Sequence, residues 1–404
     1  MGIFKMAWRN IGRNPRRTLV TVSAITLALF VSVVYTSMLQ GLLADMEYSV
    51  TELEMGDVQI HTADYLNNPS LYERIEDVDT LIPTLEEAGF RASPRLIGAS
   101  LVATRESSAG AQLRGVDVAL DAGVSQIWQR VTEGEWLDPA VPRGVVVGYR
   151  LARALGLEVG HELVALSQAM DGSMANDLFL VRGILSVVGD SVDRSGVFLN
   201  EAMFREFFVM PDGVHEIVVR KPAGVELADA TESVRSLAPG LDTKSWRELL
   251  PTLATYLDAA SQAMWFVAAI IYLVIAILIL NAMLMAVFER IREFGVLKAL
   301  GVEPGRVMSL ILVESGLQTG LAVTVGLTLA APTLWYLVRV GIDMGALTGT
   351  SIIGMTMGST WQATVTPLTV AAPVLVLVVI VLLAVLYPAR KAATISPVEA
   401  MRYQ

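Results

Sequence analysis

The sequence contains no cysteine, and only 17% of its 404 residues are charged. The lack of cysteine excludes disulfides, thiolate zinc sites, iron–sulfur clusters and cysteine nucleophiles. Soluble proteins carry about 25% charged residues, whereas this chain is 53% hydrophobic with a mean hydropathy of +0.54. The composition therefore predicts that a lipid bilayer surrounds part of the chain. The net charge of −10 gives no support to nucleic-acid binding.

Motifs of catalysis and nucleotide binding are also missing from the sequence. It contains no G-x-x-x-x-G-K-[ST] phosphate-binding loop, no H-E-x-x-H and no nucleophile elbow. The three histidines, His61, His161 and His215, are widely spaced in strand-like or turn contexts and do not suggest converging metal ligands. We therefore expect that the chain is not an enzyme and binds no metal and no cofactor of its own.

Long stretches without charge are what the sequence has instead. Four of them are long enough to cross a bilayer as helices. The predicted spans are 18–44, 259–288, 304–338 and 366–387. The first stretch is much longer than the apolar region of a signal peptide, which has about 7 to 15 residues. It therefore predicts a membrane span and not a cleaved leader.

Basic residues flank these spans unevenly. Residues 1–17, the turn 289–306 and the tail 387–404 together hold 12 lysines and arginines against four glutamates and no aspartate. By the positive-inside rule, both termini and this turn are cytoplasmic, and residues 45–258 lie outside. We expect a multi-pass protein of the bacterial cytoplasmic (inner) membrane.

Residues 45–258 form a large insert between the first and second spans. The insert is acidic, and short strand-like and helix-like patterns alternate along it without a Pro-rich or Ser-rich linker. The predicted fold class is therefore a membrane protein of four transmembrane α-helices with a large α+β extracytoplasmic domain inserted between the first and second. A second outer segment, the loop 339–365, is indicated by its glycines.

The two chain ends predict short cytoplasmic helices. Residues 1–17 predict an amphipathic helix on an anionic membrane surface, since Lys5, Arg9 and Arg13 recur at every fourth residue. The alternative is an anchor that only fixes the topology. In the tail 388–404, an S-x-x-E capping box predicts a terminal helix.

The segment 289–303 predicts a short helix between the second and third spans. Apolar residues at three-residue steps within a charged helix favour a docking surface for another protein, with lipid contact as the alternative. Gly301 suits the position just after the helix end. The candidate docking residues are Glu289, Arg290, Arg292, Glu293, Phe294, Gly295, Leu297, Lys298 and Gly301.

Two polar residues lie inside predicted spans. Glu314 is the one ionisable residue between positions 307 and 338, and Asn281 lies in the second span. A carboxylate at this depth is costly and usually faces protein or water. We therefore predict that Glu314 pairs with a neighbouring helix, with Asn281 as a candidate partner, or contacts a lipid head group. The alternatives are a Glu314 that reaches water or is protonated, and an Asn281 that only hydrogen-bonds between helices.

A predicted β-hairpin at 168–177 is a candidate surface for an outer partner. A D-G-S turn lies between two apolar strand-like runs, and two methionines place flexible apolar side chains near a polar tip. The alternative is an ordinary solvated hairpin. The candidate residues are Met170, Asp171, Gly172 and Met174.

Several of these segments together resemble one known family. They resemble the FtsX/MacB/LolC–LolE permeases of ABC transporters (type VII, mechanotransmission) over nearly the whole chain. The similar segments are Ala7-Trp8-Arg9-Asn10-Ile11, Glu289–Gly301, Pro388-Ala389-Arg390, Pro397-Val398-Glu399-Ala400 and the outer-domain run Tyr149–Gly160. Residues Gly56–His61, followed by Tyr65 and Pro69, are most similar to the lipoprotein-releasing LolC/LolE-like branch.

This resemblance implies a mechanism and a set of partners. Such permeases work as homodimers or heterodimers with two copies of a separate ABC ATPase, which holds ATP and Mg. The helix at 289–301 would enter a groove of that ATPase with Phe294, Gly295 and Leu297, while Glu289, Arg290 and Glu293 make ion pairs at its rim. The other implied partners are membrane lipid and a periplasmic carrier or adaptor.

The resemblance also implies three alternative functions. The first is extraction or release of lipoprotein or lipid-type cargo from the inner membrane. The second is MacB-like efflux with a periplasmic adaptor. The third is FtsX-like regulation of a cell-wall hydrolase without transport. The sequence leaves the cargo open, and it does not distinguish a homodimer from a heterodimer.

Overall fold

A computed structural model describes residues 3–13, 15–344, 351–352, 355–356 and 360–402. The chain forms two compact units. The first unit comprises residues 1–44, 258–343 and 360–404, and the second comprises residues 45–257 and 344–359. The glycines at 345, 349, 354 and 358, on which the predicted outer loop 339–365 rests, lie outside the described residues.

Fourteen helices are formed by the described residues. In chain order they are α1 (Ile3–Arg13), α2 (Pro15–Val50), α3 (Val78–Glu87), α4 (Val118–Val124), α5 (Tyr149–Leu155), α6 (Asp190–Ser195), α7 (Glu201–Phe208), α8 (Leu227–Leu237), α9 (Trp246–Leu249), α10 (Pro251–Phe288), α11 (Ile291–Ala299), α12 (Pro304–Arg339), α13 (Pro367–Thr394) and α14 (Pro397–Arg402). A π-helical turn at Thr51–Met55 follows α2, and a 3-10 turn lies at Ile127–Arg130.

The strands are concentrated in the second unit. They are β1 (Val58–His61), β2 (Arg91–Ala103), β3 (Ser108–Val116), β4 (Val131–Gly134), β5 (Gly144–Val147), β6 (Glu162–Gln168), β7 (Met174–Leu185), β8 (Gly196–Asn200), β9 (Glu216–Arg220) and β10 (Asp242–Ser245). Four further strands of two residues each follow, namely β11 (Ile342–Asp343), β12 (Ser351–Ile352), β13 (Met355–Thr356) and β14 (Thr360–Trp361).

Four helices of the described chain are long and apolar enough to cross a membrane, namely α2, α10, α12 and α13. The large unit inserted between α2 and α10 mixes helices and strands. The predicted fold class is therefore confirmed. Helix α13 runs on to Thr394, beyond the predicted end at residue 387, and includes Pro388. Since Ala389, Ala392 and Ala393 are buried, packing in this region outweighs the local cost of the proline.

Helix α2 is buried more than the other long helices, and one of its neighbours is α12. The Thr26 hydroxyl donates to the carbonyl of Ala322 at 3.2 Å. A Cβ at Gly326 would lie 3.1 Å from the Leu29 side chain, so this glycine allows the two helices to approach closely. Thr21 and Ser32 are also buried. Most polar residues of the first span therefore face protein, while Ser23 is exposed.

In the second unit, six of the strands pair with one another by hydrogen bonds to form a closed ring. The ring order is β2-β3-β8-β5-β7-β6, and β6 closes it by pairing with β2. Strand β2 has 13 residues and bends around the ring, so its first half pairs with β9 and its second half with β6. Phenylalanines of α7, Phe204 and Phe208, fill the interior beside Gly98 and Gly115.

The two connections to the membrane helices enter this unit on neighbouring strands. Strand β1 follows α2, and β10 precedes the helices α9 and α10. The two strands pair antiparallel at one edge of the sheet, with Val58 opposite Ser245 and His61 opposite Asp242.

The second unit corresponds to the predicted extracytoplasmic domain and is called the outer unit from here on. We expect it to lose stability in mild acid because of His215. Its ring is fully buried and its Nδ1 accepts the backbone N–H of Ile97 at 2.9 Å. Burial lowers the pKa of His215 from 6.5 to about 4. Below about pH 6.5 the unfolded chain therefore binds a proton at this histidine, whereas the folded unit binds it only near pH 4. The free energy of unfolding thus falls by about 3 kcal/mol as the pH is lowered through this range.

Thermal unfolding of wild type and His215→Gln between pH 7 and pH 4 measures this effect. The stability of the variant is expected to depend less on pH over this range. The same substitution at His161, which is half-exposed at the surface, is the control. Equal pH dependence of wild type and His215→Gln would contradict the assignment.

Candidate functional site: the coupling segment between α10 and α12

A short helix, α11, connects the membrane helices α10 and α12. It ends because Gly301 adopts a left-handed conformation, with φ of +89°. The N–H of Gly301 donates to the Lys298 carbonyl and the N–H of Val302 donates to the Leu297 carbonyl, at 3.0 and 3.1 Å. This pattern is a Schellman motif, and it confirms the predicted position of Gly301 just after the helix end. Pro304 then starts α12.

A buried ion pair holds the start of α11 to α12. Nη1 of Arg290, the residue that precedes α11, lies 3.1 and 2.8 Å from the two carboxylate oxygens of Glu314. The two side chains are only 12% and 7% exposed. Breaking such a pair leaves one buried charge without its partner, which is strongly destabilising.

The ion pair belongs to a network that also includes α1. Asn10 donates through Nδ2 to Oε2 of Glu314 at 3.3 Å. Arg290 also donates through Nε to Glu293 at 3.1 Å, and Glu293 lies 3.7 Å from Arg13. Three helices, α1, α11 and α12, are thus joined by polar contacts at one place.

The other end of α11 is held by α13. Nζ of Lys298 donates to the carbonyl of Ala393 at 2.7 Å and also to the carbonyl of Ile395. These are carbonyls at the end of α13, which have no partner within the helix. A lysine there satisfies them and interacts favourably with the negative end of the helix dipole. Helix α11 is therefore fastened at its start to α12 and at its end to α13.

The side chains predicted to enter a partner groove are largely buried in this chain. Phe294 and Gly295 are buried, Phe294 in an apolar cluster formed with the membrane helices. Leu297 is half-buried against that cluster. Phe294 and Gly295 thus have no surface to offer a partner, and this part of the prediction is wrong. At about 3.6 residues per turn, a row of three-residue steps rotates by about 60° at each step. It therefore winds from the buried Ile291 to the exposed Leu300.

The residues that α11 exposes differ from those predicted to contact a partner. Its residues are Arg292, Glu293, Val296, Ala299 and Leu300. Val296 and Leu300 are 50% and 78% exposed, and with Arg292 they recur at every fourth residue. Glu289 is exposed just before the helix. Val296 was not among the predicted residues, although its four-residue spacing from Arg292 and Leu300 is visible in the sequence.

Glu314 is paired with Arg290 and Asn10 and not with Asn281. Asn281 lies on the exposed side of α10, so the proposed pairing of these two residues is wrong. The prediction that Glu314 binds a polar group on a neighbouring element is confirmed. The contribution of Asn10 could not be recognised, because 304 positions separate it from Glu314 in the sequence.

The segment 168–177 forms the predicted hairpin, with Gln168 opposite Met174 and a left-handed Gly172 in the turn. One residue near its tip, Met170, is anchored to the domain. The N–H of Met170 donates to the Phe208 carbonyl at 2.8 Å, and Tyr72 donates to the Met170 carbonyl at 3.2 Å. Met170 is therefore held against the domain, whereas residues 171–174 at the turn are exposed, and the docking role of this tip stays a prediction.

The exposed apolar residues of this hairpin lie along β7. Met174, Leu178 and Leu180 are an even number of positions apart and so lie on the same, outward side of the strand. Met174 is 82% exposed. Asp171 accepts the N–H of Ser173 at 2.9 Å and thereby stabilises the turn. Hydrogen bonds from the Ser173 hydroxyl and, second, from its N–H lower the pKa of Asp171.

Two family models match the chain. The model of the FtsX-like permease C-terminal family matches residues 265–397, and the model of the MacB-like periplasmic core domain matches residues 18–237. The first match includes α11 with both of its attachments to α12 and α13. The second includes the strand ring of the outer unit.

Individual proteins are also similar to this chain. An ABC transporter permease of Methanocaldococcus jannaschii is 26% identical over 67% of this chain and 65% of its own length. LolC, a transmembrane protein of the lipoprotein-releasing system of Neisseria meningitidis, is 20% identical over 96% of this chain and 94% of its own. The crystal structure of the periplasmic region of MacB from Actinobacillus actinomycetemcomitans covers 49% of this chain and 91% of that structure, at 13% identity and a TM-score of 0.35.

Proposed function

Since the chain belongs to the ABC transporter permeases that combine an FtsX-like C-terminal region with a MacB-like periplasmic core domain, we propose that it passes the motion of a partner ATPase to its outer unit. The chain itself would not hydrolyse ATP. ATP and Mg would be held by two copies of a separate ATPase, and a second permease, identical or related, would complete the complex.

The observation that carries this proposal is the attachment of α11 at both ends. A force applied to its exposed face, at Val296 and Leu300, would reach α12 through Arg290 and Glu314. It would reach α13 through Lys298. A helix fastened in this way can move its neighbours as a unit, which a flexible loop could not do. This arrangement also requires the α11 side, with both chain ends, to be cytoplasmic.

We propose lipoprotein or another lipid-type molecule as the cargo, released from the cytoplasmic membrane. The support is the similarity to LolC over nearly the full length of both chains. A second candidate is efflux with a periplasmic adaptor, which the match to the MacB-like periplasmic core domain favours. Regulation of a cell-wall hydrolase without transport, as suggested by the FtsX-like region, is the third.

Reconstitution tests the function and the choice of cargo together. The chain and a candidate partner ATPase from the same organism are purified, placed in proteoliposomes with an acylated lipoprotein, and supplied with ATP. We expect lipoprotein release that depends on ATP and on both proteins. Failure of the ATPase to associate would contradict the proposed coupling to an ATPase. Association with ATP turnover but no release would contradict the lipoprotein cargo and favour efflux.

The outward side of β7 is the surface on which we expect an outer partner to dock. Replacing Met174 and Leu178 by serine should leave the fold intact, because both are exposed, and should weaken cargo transfer several-fold. The measure is lipoprotein release to a soluble acceptor at unchanged ATP turnover. The control is the same pair of changes at Leu66 and Val159, two other exposed apolar residues of this unit. Equal loss in both pairs would contradict a specific surface.

A further inference from the structure

Helix α1 has two sides of different character. Helix α1 packs on α12, and Ala7 is completely buried while Asn10 and Ile11 are half-buried. Thr18 donates to the Ile11 carbonyl at 3.1 Å and so ties the end of α1 to α2. The exposed side, which we call the outer arc, consists of Phe4, Lys5, Trp8, Arg9, Gly12 and Arg13.

The outer arc combines an aromatic strip with a basic strip. Phe4 and Trp8 are 63% and 65% exposed and lie one turn apart. Lys5, Arg9 and Arg13 form the strip beside them, and α1 contains no acidic residue. Within the described part of the chain, Lys5 and Arg9 make no ion pair, while Arg13 has Glu293 at 3.7 Å.

This composition matches one kind of surface. Aromatic side chains settle at the level of lipid head groups, and basic side chains beside them attract anionic lipids. Since the membrane-crossing helix α2 begins at Pro15, the arc is held near the bilayer surface by the chain itself. A groove on another protein would satisfy the aromatic strip equally well, but it would need its own acidic residues for the basic strip.

We propose that the outer arc binds the head groups of acidic phospholipids, and that this binding keeps Asn10 on Glu314 and so supports the Arg290–Glu314 pair. The membrane composition would thereby regulate how firmly α11 is fastened to α12. The lipid contact stands by itself, whereas the regulatory part rests on the proposed function. Loss of the lipid contact would release α1, and Glu314 would lose one of its hydrogen bonds.

A single label on the full chain tests the lipid contact. Because the chain has no cysteine, Gly12→Cys provides a unique site, and a Cβ there meets no atom within 4 Å. A fluorophore at this site is measured in nanodiscs of phosphatidylcholine, with and without phosphatidylglycerol, using head-group spin-labelled versions of each lipid as quenchers. We expect several-fold stronger quenching by the anionic lipid, and weaker preference at high salt.

Charge removal identifies the residues responsible. Lys5→Gln with Arg9→Gln should abolish the preference for anionic lipid, whereas Arg306→Gln, which removes an exposed charge elsewhere, should leave it unchanged. Equal quenching by both lipids in the wild type would overturn the proposal. So would a label that becomes shielded only when the ATPase is added, because the arc would then be a protein interface.

The regulatory part has its own measurement. In the complex with ATPase, phosphatidylglycerol is expected to increase the ATP-driven cargo release per ATP hydrolysed. Asn10→Leu should remove this increase while the labelled arc still prefers anionic lipid. An increase that persists in Asn10→Leu would overturn the link through Glu314. If no ATPase associates at all, the proposed function fails, but the quenching result remains interpretable.

Discussion

Glu314→Leu is expected to lower the stability of the purified permease by about 3 to 5 kcal/mol, the usual cost of breaking a buried ion pair by removing one partner. The reason is that Arg290 would stay buried, at 12% exposure, with only the more exposed Glu293 left beside its charge. Arg290→Met should cost a similar amount, because it leaves Glu314 buried. Thermal unfolding in detergent measures both.

The double variant Arg290→Met with Glu314→Leu separates the ion pair from general damage. Two apolar side chains in place of a buried pair are often close to neutral, so much of the lost stability should return. The control is Glu303→Leu, which breaks an exposed pair with Arg306 at 3.8 Å and should cost less than about 1 kcal/mol. Additive losses in the double variant would show that the pair is not the cause.

ATP-driven cargo release by the same variants, in complex with the ATPase, tests whether the pair also transmits motion. A double variant that recovers stability but not ATP-driven cargo release would show that the charge pair does more than hold the fold. Full recovery of release would show that any firm packing between α11 and α12 is sufficient.

Val296→Asp together with Leu300→Asp is expected to abolish binding of the ATPase without affecting the permease. Both side chains are at least half exposed on α11, so the acidic substitutes stay in water in the permease alone. In a protein interface, the same carboxylates would be buried without partners, at a cost of several kcal/mol. Co-purification of the ATPase and its ATP turnover in the complex are the measurements.

Two further variants show whether α11 is recognised specifically. Phe294→Asp should destroy the permease itself, because Phe294 packs inside the helix cluster, and it should appear as lost expression. Val398→Asp places the same charge at an exposed site of α14 and should leave ATPase binding largely intact. Normal binding by the Val296 and Leu300 variant, or equal loss in Val398→Asp, would contradict docking on this face.

Much of the fold could be read from local sequence patterns. The predicted alternation of short helices and strands in the insert is present, for example in α5 at Tyr149–Leu155 and β9 at Glu216–Arg220. The S-x-x-E box also forms, with Ser396 and Glu399 bonded to each other at 2.9 Å. These features depend on residues within one or two turns of each other, so the sequence contains the whole signal.

Elements formed by distant partners were not predicted. Strands β4 and β10 have four residues each, and their sequences, V-T-E-G and D-T-K-S, are polar. They are strands because β7 and β1 lie beside them and offer backbone groups. The closure of the ring by β6 and β2 is likewise a property of three-dimensional pairing and not of any local pattern.

The position of the candidate site in the chain was predicted correctly, but the side of α11 that is exposed was not. The segment, its end at Gly301 and the importance of Glu314 followed from spacing and burial cost. The side of α11 that faces outward did not, because a helix between two spans can present either side to its own protein. The attachment of Lys298 to the last carbonyls of α13 also needed the three-dimensional arrangement.

The pairing of β1 with β10 has a consequence for how such proteins can be built. Val58 and Ser245 are cross-strand neighbours, so the chain enters and leaves the sheet of the outer unit at places about 5 Å apart. A unit with adjacent ends can be exchanged between host proteins as a cassette without stretching the flanking chain. Different outer units could thus be recombined onto the same four membrane helices, and a chimera joined at the limits of the unit, residues 45 and 257, is the natural design for such an exchange.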